Sequence, residues 1–186
     1  MREMIEMIRT TQRRLGVHVV LFGLVVGTLL SWTAREASAV CGMTSDHIGD
    51  DTSEVFTDTV DSSRTILMHG GADHVEAGNC RDDVYGQEGS DELHGAYGND
   101  FVSGGAGSDS SGLFGGADDD TIEGNNGYDL LTDAVAGNDT DVLRGGTEDD
   151  NLFSSDGDGR DTVNGEGGAD SCEFADSGDT LISCMP

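Results

Sequence analysis

The sequence predicts an all-β fold, a parallel β-roll or β-helix solenoid of nine-residue repeats with short caps at its N- and C-terminal ends. Two observations predict it: a nine-residue period of glycine and aspartate, and one aliphatic residue at a fixed place in that period. The pattern is clearest from Gly86 to Asp109, which reads GQEGSDELH, GAYGNDFVS and GGAGSD. In each unit Gly comes first, a second Gly follows three places later, and Asp comes two places after that.

The aspartate of the repeat can be followed along most of the chain. Of the thirteen Val, Ile and Leu residues between Asp73 and Cys172, nine stand two places after such an aspartate. A disordered acidic linker would not place its apolar residues this way, so the period predicts stacked coils around an aliphatic column. In this register Ser111 takes the aliphatic place after Asp109. The aspartates are Asp73, Asp82, Asp91, Asp100, Asp109, Asp120, Asp129, Asp141, Asp150, Asp161 and Asp170, with a worn further unit ending at Asp179.

The residue types in the repeat suit a cation site. Glycine permits positive φ and tight turns, and a bare turn can aim its carbonyls inward at an ion. Calcium takes about 6–8 oxygen ligands at roughly 2.3–2.6 Å. One aspartate per turn, with carbonyls from that turn and from its stacked neighbour, supplies such ligands, so the turns are candidate calcium sites.

These motifs resemble the repeats-in-toxin, or haemolysin-type, calcium-binding repeat family over about 70–173. The resemblance implies that two nonapeptides form one coil of a parallel β-roll and that several calcium ions lie between turns stacked on the same edge. It implies as metal ligands Asp73, Asp82, Asp91, Asp100, Asp109, Asp120, Asp129, Asp141, Asp150, Asp161 and Asp170.

The sequence also departs from the family pattern. Only Gly104–Asp109 carries all three glycines of the motif together with its aspartate. Three steps between aspartates are longer than nine residues, with two or three residues inserted, and we expect these insertions to break the stacking at some turns. The second-half glycine is replaced at Cys80, Asp118, Asp139 and Glu148.

Charge limits the partners and the folding of this chain. The formal net charge is −28 and the sequence contains no Lys, so we expect it to repel nucleic acid and acidic membranes. Low hydrophobicity with high charge predicts disorder unless the acids are neutralised. We therefore expect the chain to fold on binding calcium, as other metal-dependent domains do.

Residues 1–39 are predicted to be an export signal. Basic residues precede an apolar run from Leu15 to Leu30, and Ala37-Ser38-Ala39 fits cleavage after Ala39. The alternative is a membrane anchor, since the run is short but not impossible for a span. The favoured interpretation predicts a secreted protein whose mature form has no membrane span.

The rest of the chain divides into three predicted parts. Residues 40–68 form an N-terminal cap, 69–173 form the repeats, and 174–186 form a degenerate repeat with a disulfide cap. The four cysteines are an even set in an exported chain, which predicts disulfides with three possible connectivities. We favour two pairs that would hold the ends of the roll, Cys41–Cys80 and Cys172–Cys184.

The sequence carries no sign of catalysis. It contains neither a G-x-S-x-G elbow nor an H-E-x-x-H zinc motif. We expect a secreted, non-enzymatic calcium-binding protein whose cell-surface or protein partner the sequence does not name. The alternatives are the non-catalytic repeat portion of a larger toxin or enzyme system, and a surface-adhesion or structural roll.

Overall fold

The computed structural model describes residues 41–43, 46–59, 62–133, 135–157, 159–172 and 175–185. Within these ranges the chain forms seventeen short strands and no helix. None of the described segments is therefore a helix that could span a membrane. The predicted export signal, residues 1–39, lies outside the described residues.

The strands are two to seven residues long. In chain order they are β1 (Gly42–Met43), β2 (His47–Ile48), β3 (Val55–Thr57), β4 (Ser62–Ser63), β5 (Thr65–Leu67), β6 (Gly70–Gly71), β7 (His74–Gly78), β8 (Asp83–Gly89), β9 (Glu92–Tyr97), β10 (Phe101–Ala106), β11 (Gly112–Ala117), β12 (Thr121–Asn126), β13 (Leu130–Thr132), β14 (Val142–Thr147), β15 (Asn151–Phe153), β16 (Thr162–Gly167) and β17 (Thr180–Ile182).

Two parallel sheets face each other, and the chain alternates between them. Sheet 1 has the order β17-β16-β14-β12-β10-β8-β5-β2, with β6 also paired to β8, and sheet 2 has the order β15-β13-β11-β9-β7-β3. A separate short pair joins β1 to β4. Each coil contributes one strand to each sheet, which gives a solenoid of about seven turns. The predicted all-β parallel roll is confirmed.

The core is a double column of aliphatic side chains between the sheets. Along strands such as β9 and β12 the burial alternates, so that one side chain points into the coil while its neighbours point outward. The inward residues stack in register, for example Val84 on Val102 and Val102 on Ile122. Each buried side chain contributes about 1.5–3 kcal/mol. The fully buried column residues are Val75, Val84, Leu93, Val102, Leu113, Ile122, Leu131, Leu143, Leu152 and Val163.

One predicted core position is wrong. Leu113, and not Ser111, fills the aliphatic place after Asp109, because the two inserted residues form a turn before the strand begins. The N–H of Gly112 donates to the carbonyl of Asp109 at 3.1 Å and closes that turn. Leu113 then pairs in register with its neighbours in sheet 2 and is fully buried, while Ser111 is exposed.

The predicted cap residues contribute strands to both sheets. β2 and β5 continue sheet 1, and β3 continues sheet 2, with Ile66 and Met68 fully buried beneath them. At the other end β17 pairs with β16. Both favoured disulfides, Cys41–Cys80 and Cys172–Cys184, are present, so the predicted connectivity is confirmed.

Candidate metal centres on two edges

The turns between the sheets stack in two columns, which we name edge 1 and edge 2. Every one of the eleven predicted ligands closes such a turn, and each is at most 4% exposed. Edge 1 contains the turns from sheet 1 to sheet 2, which end at Asp73, Asp91, Asp109, Asp129, Asp150 and Asp170. Edge 2 contains the turns from sheet 2 to sheet 1, which end at Asp82, Asp100, Asp120, Asp141 and Asp161.

One carboxylate oxygen of each aspartate builds a hydrogen-bonded ladder along its edge. The backbone N–H of Asp91 donates to Oδ1 of Asp109 at 2.8 Å, one coil further on. On edge 2 the N–H of Asp82 donates in the same way to Oδ1 of Asp100 at 2.7 Å. A carboxylate that accepts a backbone N–H is held in one orientation. The ladder therefore fixes the orientation of the aspartate side chains without the help of an ion.

The insertions do not break this ladder, so the expectation of broken stacking is wrong for the aspartates. It holds in part for the strands beside edge 2, where β9 and β11 pair at five positions but β11 and β13 pair at only two. The step between laddered residues grows from 18 to 20 or 21 residues, yet the bonds persist at 2.6 Å from Asp100 to Asp120 and 2.8 Å from Asp120 to Asp141. The inserted residues lie in the turns between strands, outside the pairing. The buried aliphatic column keeps its register, because a slip would expose it to water.

The second carboxylate oxygen of each aspartate, Oδ2, takes no part in this ladder, and we call it the leftover oxygen. In nine of the ladder aspartates this buried atom accepts no hydrogen bond from any described residue. A buried polar atom without a partner costs about 1–3 kcal/mol, and more if it is charged. The nine are Asp73, Asp82, Asp91, Asp100, Asp109, Asp120, Asp129, Asp150 and Asp170.

These leftover oxygens converge with backbone carbonyls above a glycine. A Cβ added to Gly124 would lie 2.6 Å from Oδ2 of Asp129 and 2.5 Å from the carbonyl oxygen of Gly145, one coil further on. Gly95 on edge 2 shows the same arrangement, with both distances 2.6 Å, to Oδ2 of Asp100 and to the carbonyl of Gly115. Glycine in the strand that leads into the turn therefore leaves open a space that oxygen atoms from two coils surround.

Electrostatics along the edges favours a cation. Burial raises the pKa of Asp100 and Asp120 to about 8, and that of Asp109 and Asp150 to about 7. The backbone N–H bond accepted by each carboxylate lowers these pKa values in part, and neighbouring aspartates raise them again. Added positive charge is therefore needed to keep these carboxylates ionised at neutral pH. Carboxylate and carbonyl oxygens are the donors that a hard ion such as calcium prefers, so these residues fit it.

At its N-terminal end, edge 2 receives positive charge from the protein itself. Arg64 stands where later coils have an aspartate, and its backbone N–H donates to Oδ1 of Asp82 at 2.7 Å. Its Nε lies 2.7 Å from Oδ2 of Asp58, whose side chain is 1% exposed. A guanidinium thus neutralises a buried carboxylate here, as an ion would do elsewhere on the edge.

Edge 2 also holds carboxylates that the sequence analysis did not identify. Asp133 aligns with Gly115 of the preceding coil, and its Oδ2 lies 2.5 Å from where a Cβ of Gly115 would be, beside Oδ2 of Asp120. Burial raises the pKa of Asp133 to about 9. Two triads each bring three carboxylate oxygens within 4.8 Å of one another: Asp120, Asp133 and Asp141, and Asp139, Asp141 and Asp156.

The signal for these extra carboxylates was in the insertions. Asp133 and Asp139 belong to the twelve-residue step, and Asp156 belongs to the second eleven-residue step. A strict nine-residue period assigns the added residues no role in the repeat. An insertion rich in aspartate was itself evidence for a site with more charge.

The comparisons with known proteins agree with the motifs. The model of a family described as RTX calcium-binding nonapeptide repeat (4 copies) matches residues 69–93, 78–110, 113–131, 135–172 and 155–181. Together these stretches cover more than half of the chain, and they confirm the resemblance drawn from the repeats. A search of curated proteins found no match, and neither did a search of solved structures.

Proposed function

The chain belongs to the RTX calcium-binding nonapeptide repeat family, and we propose that it is an exported protein that folds when calcium binds at edges 1 and 2. The observation that carries the proposal is the repeated convergence of a leftover aspartate Oδ2 with a carbonyl of the next coil above a glycine. Bound calcium would supply positive charge to oxygens that the fold has already removed from water. The predicted ligands remain the eleven aspartates of the two ladders, and we add Asp133, Asp139 and Asp156 on edge 2.

Folding and binding are linked through the geometry of the ladders. Each candidate site takes oxygen atoms from two successive coils, such as Asp129 and Gly145, which are brought together only when the coils stack. An unfolded chain lacks such a site, so the binding free energy of the ion adds to the stability of the stacked form. Without metal the folded chain must either protonate these buried aspartates or bury their charge. The raised pKa values of Asp100 and Asp120 support the proposal, because both routes are unfavourable at neutral pH for groups that ionise readily in the unfolded chain.

Two further features support export and a binding role. Both disulfides are consistent with an oxidising compartment outside the cytosol, where calcium is also abundant. The buried carboxylates form periodic columns, an arrangement that suits repeated ion binding better than a single reaction centre. We therefore propose that the chain acts by binding and not by catalysis.

The experiment is a calcium titration of residues 40–186 with intact disulfides, in which far-ultraviolet circular dichroism is recorded at each calcium concentration. Magnesium is the matched control, since it demands a smaller octahedral site and retains water. The proposal expects a coil-to-β transition with calcium alone. A chain that stays unfolded at millimolar calcium, or that is fully β-structured after chelation, contradicts calcium-dependent folding.

A structural roll that folds without calcium is the second candidate. Two disulfides near the ends and an unbroken aliphatic column favour it. The same experiment separates the candidates, because this roll keeps its β spectrum in a chelator. Reduction of the disulfides would then unfold it, whereas calcium would have little effect on its midpoint of unfolding.

A further inference from the structure

A cluster of two histidines and two glutamates lies on the outward face of sheet 2, away from both edges. The cluster consists of His74 and Glu76 on β7, and Glu92 and His94 on β9. Strand register pairs His74 with Glu92, and Glu76 with His94. The residues between them, Val75 and Leu93, point into the core. The four side chains therefore form an outward square, with a histidine diagonally opposite a histidine.

The distances bring three potential ligand atoms together. Oε2 of Glu92 lies 3.4 Å from Nδ1 of His74, and its Oε1 lies 3.3 Å from Nε2 of His94. Ligand atoms of His74, Glu92 and His94 all lie within 4.8 Å of one another. Neighbouring ligands of a tetrahedral zinc ion, each about 2.0–2.1 Å from it, are about 3.3 Å apart. The spacing is thus already close to that of a zinc site.

An aromatic ring and a further carboxylate flank these side chains. The ring of His94 stacks on Phe114 of the next coil, with centroids 4.4 Å apart and planes 11° apart. Nε2 of His74 lies 3.6 Å from Oε1 of Glu76, a carboxylate placed to orient the imidazole whose Nδ1 faces Glu92. Both histidines remain partly exposed, at 35% and 24% of their side-chain surface, so that an ion from solvent can reach them.

We propose that His74, Glu92 and His94 form a site for one zinc ion, separate from the calcium-binding turns. Imidazole nitrogen with one carboxylate suits zinc, whereas calcium is bound through oxygen ligands. Glu76 acts as the orienting residue, and solvent fills the remaining position. The site depends on the pairing of β7 with β9, so zinc links two successive coils on the outside of the roll.

The test is isothermal titration of the whole chain with zinc in saturating calcium, using protein without a polyhistidine tag. Saturating calcium competes for the aspartate turns and leaves the outer cluster free. The expected result is one zinc ion per chain, with binding at least tenfold weaker in His74→Gln and in His94→Gln. The control is His69→Asn, since His69 lies outside the cluster and its φ of 70° is one that Asn tolerates.

Nuclear magnetic resonance of the unmodified chain gives a second readout that needs no variant. Zinc should shift the imidazole signals of His74 and His94 and leave those of His69 in place. The proposal is overturned if neither cluster signal moves, or if both glutamine variants bind zinc as the unmodified chain does. Because calcium is saturating throughout, loss of zinc binding in a variant that keeps its β spectrum does not bear on calcium-dependent folding.

Discussion

The two edges of the roll differ in the inward-facing residue that precedes each turn, two places after the buried aliphatic residue. On edge 1 this residue is glycine in five successive coils, whereas edge 2 passes from Ala77 through two glycines to Asp133 and Ser154. Edge 1 is therefore a series of similar candidate sites. Four of them have an aspartate oxygen and a carbonyl above the glycine, whereas above Gly104 the aspartate oxygen lies beside the side chain of Leu113. The glycines, each inside the strand that leads into the turn, are Gly86, Gly104, Gly124, Gly145 and Gly165.

Where edge 2 loses its glycines, it gains carboxylates. Asp133 takes the glycine place, and the turn insertions bring Asp139 and Asp156 next to Asp141. At the other end of the same edge, Arg64 supplies a fixed positive charge. A guanidinium neutralises a buried aspartate at Arg64. Under the proposed function the other aspartates would be neutralised in two ways, by an ion above a glycine and by an ion among several carboxylates.

The largest expected effect comes from removing the guanidinium with Arg64→Met. Breaking a buried ion pair leaves Asp58 without its positive partner and should lower the free energy of unfolding by about 3–5 kcal/mol. Urea unfolding in saturating calcium measures it. The matched control is Arg81→Met, whose side chain is 70% exposed and lies 3.6 Å from Asp83, and which should change stability by about 0–1 kcal/mol. Equal effects of the two substitutions would show that Arg64 has no special role.

The second largest loss of stability is expected when a methyl group fills the space above a glycine. In Gly124→Ala the new Cβ would meet two oxygen atoms at 2.5 and 2.6 Å, so it competes with the ion and strains the turn. We expect a loss of about 1–3 kcal/mol and one fewer calcium ion bound. Gly95→Ala tests the same geometry on edge 2. The control is Gly167→Ala, whose Cβ would meet nothing closer than a carbonyl at 3.5 Å. Equilibrium dialysis counts the ions, and an unchanged count in Gly124→Ala contradicts the assigned position.

Removing one carboxylate should lower calcium affinity more on edge 1 than on edge 2. Asp129→Asn keeps an oxygen for the ladder and removes the buried charge of its site, so calcium affinity there should fall about tenfold, or about 1.4 kcal/mol. Asp133→Asn should have a smaller effect, because Asp120 and Asp141 remain beside it. Titration calorimetry compares the two variants. A larger loss in Asp133→Asn would mean that edge 2 depends on that one carboxylate.

The smallest expected effect is the change with pH in the stability of the metal-free fold and in calcium affinity. In the metal-free fold burial raises the pKa of Asp100 and Asp120 from 3.8 to about 8, so the folded state binds more protons than the unfolded state between those values. Stability of the metal-free fold should therefore fall as pH rises from about 4 to 8. Calcium needs the ionised carboxylates, so its affinity should rise over the same range, with proton release on binding. Calorimetry in two buffers of different ionisation enthalpy measures the release. Affinity equal at pH 6 and pH 8 would falsify this linkage.

The sequence predicted the periodic part of this molecule well, because the period reflects a direct physical constraint. Aliphatic residues such as Leu93 and Val102 must all face one core, and the aspartates that precede them must then stack. A linear count could not place the insertions, since only burial decides that Leu113 enters the core in place of Ser111. The roles of Arg64 and Asp133 depend on carboxylates that the fold brings beside them, Asp58 for Arg64 and both Asp120 and Asp141 for Asp133, which a period alone does not reveal.

The most direct test of the account is an X-ray diffraction experiment on crystals grown in calcium, with anomalous scattering used to locate the ions. The account predicts a column of calcium peaks along edge 1, each near the leftover Oδ2 of an aspartate and a carbonyl of the next coil, as at Asp129 and Gly145. It predicts a further peak among Asp120, Asp133 and Asp141 on edge 2. Edges without anomalous peaks, or peaks confined to exposed surface acids, would contradict it.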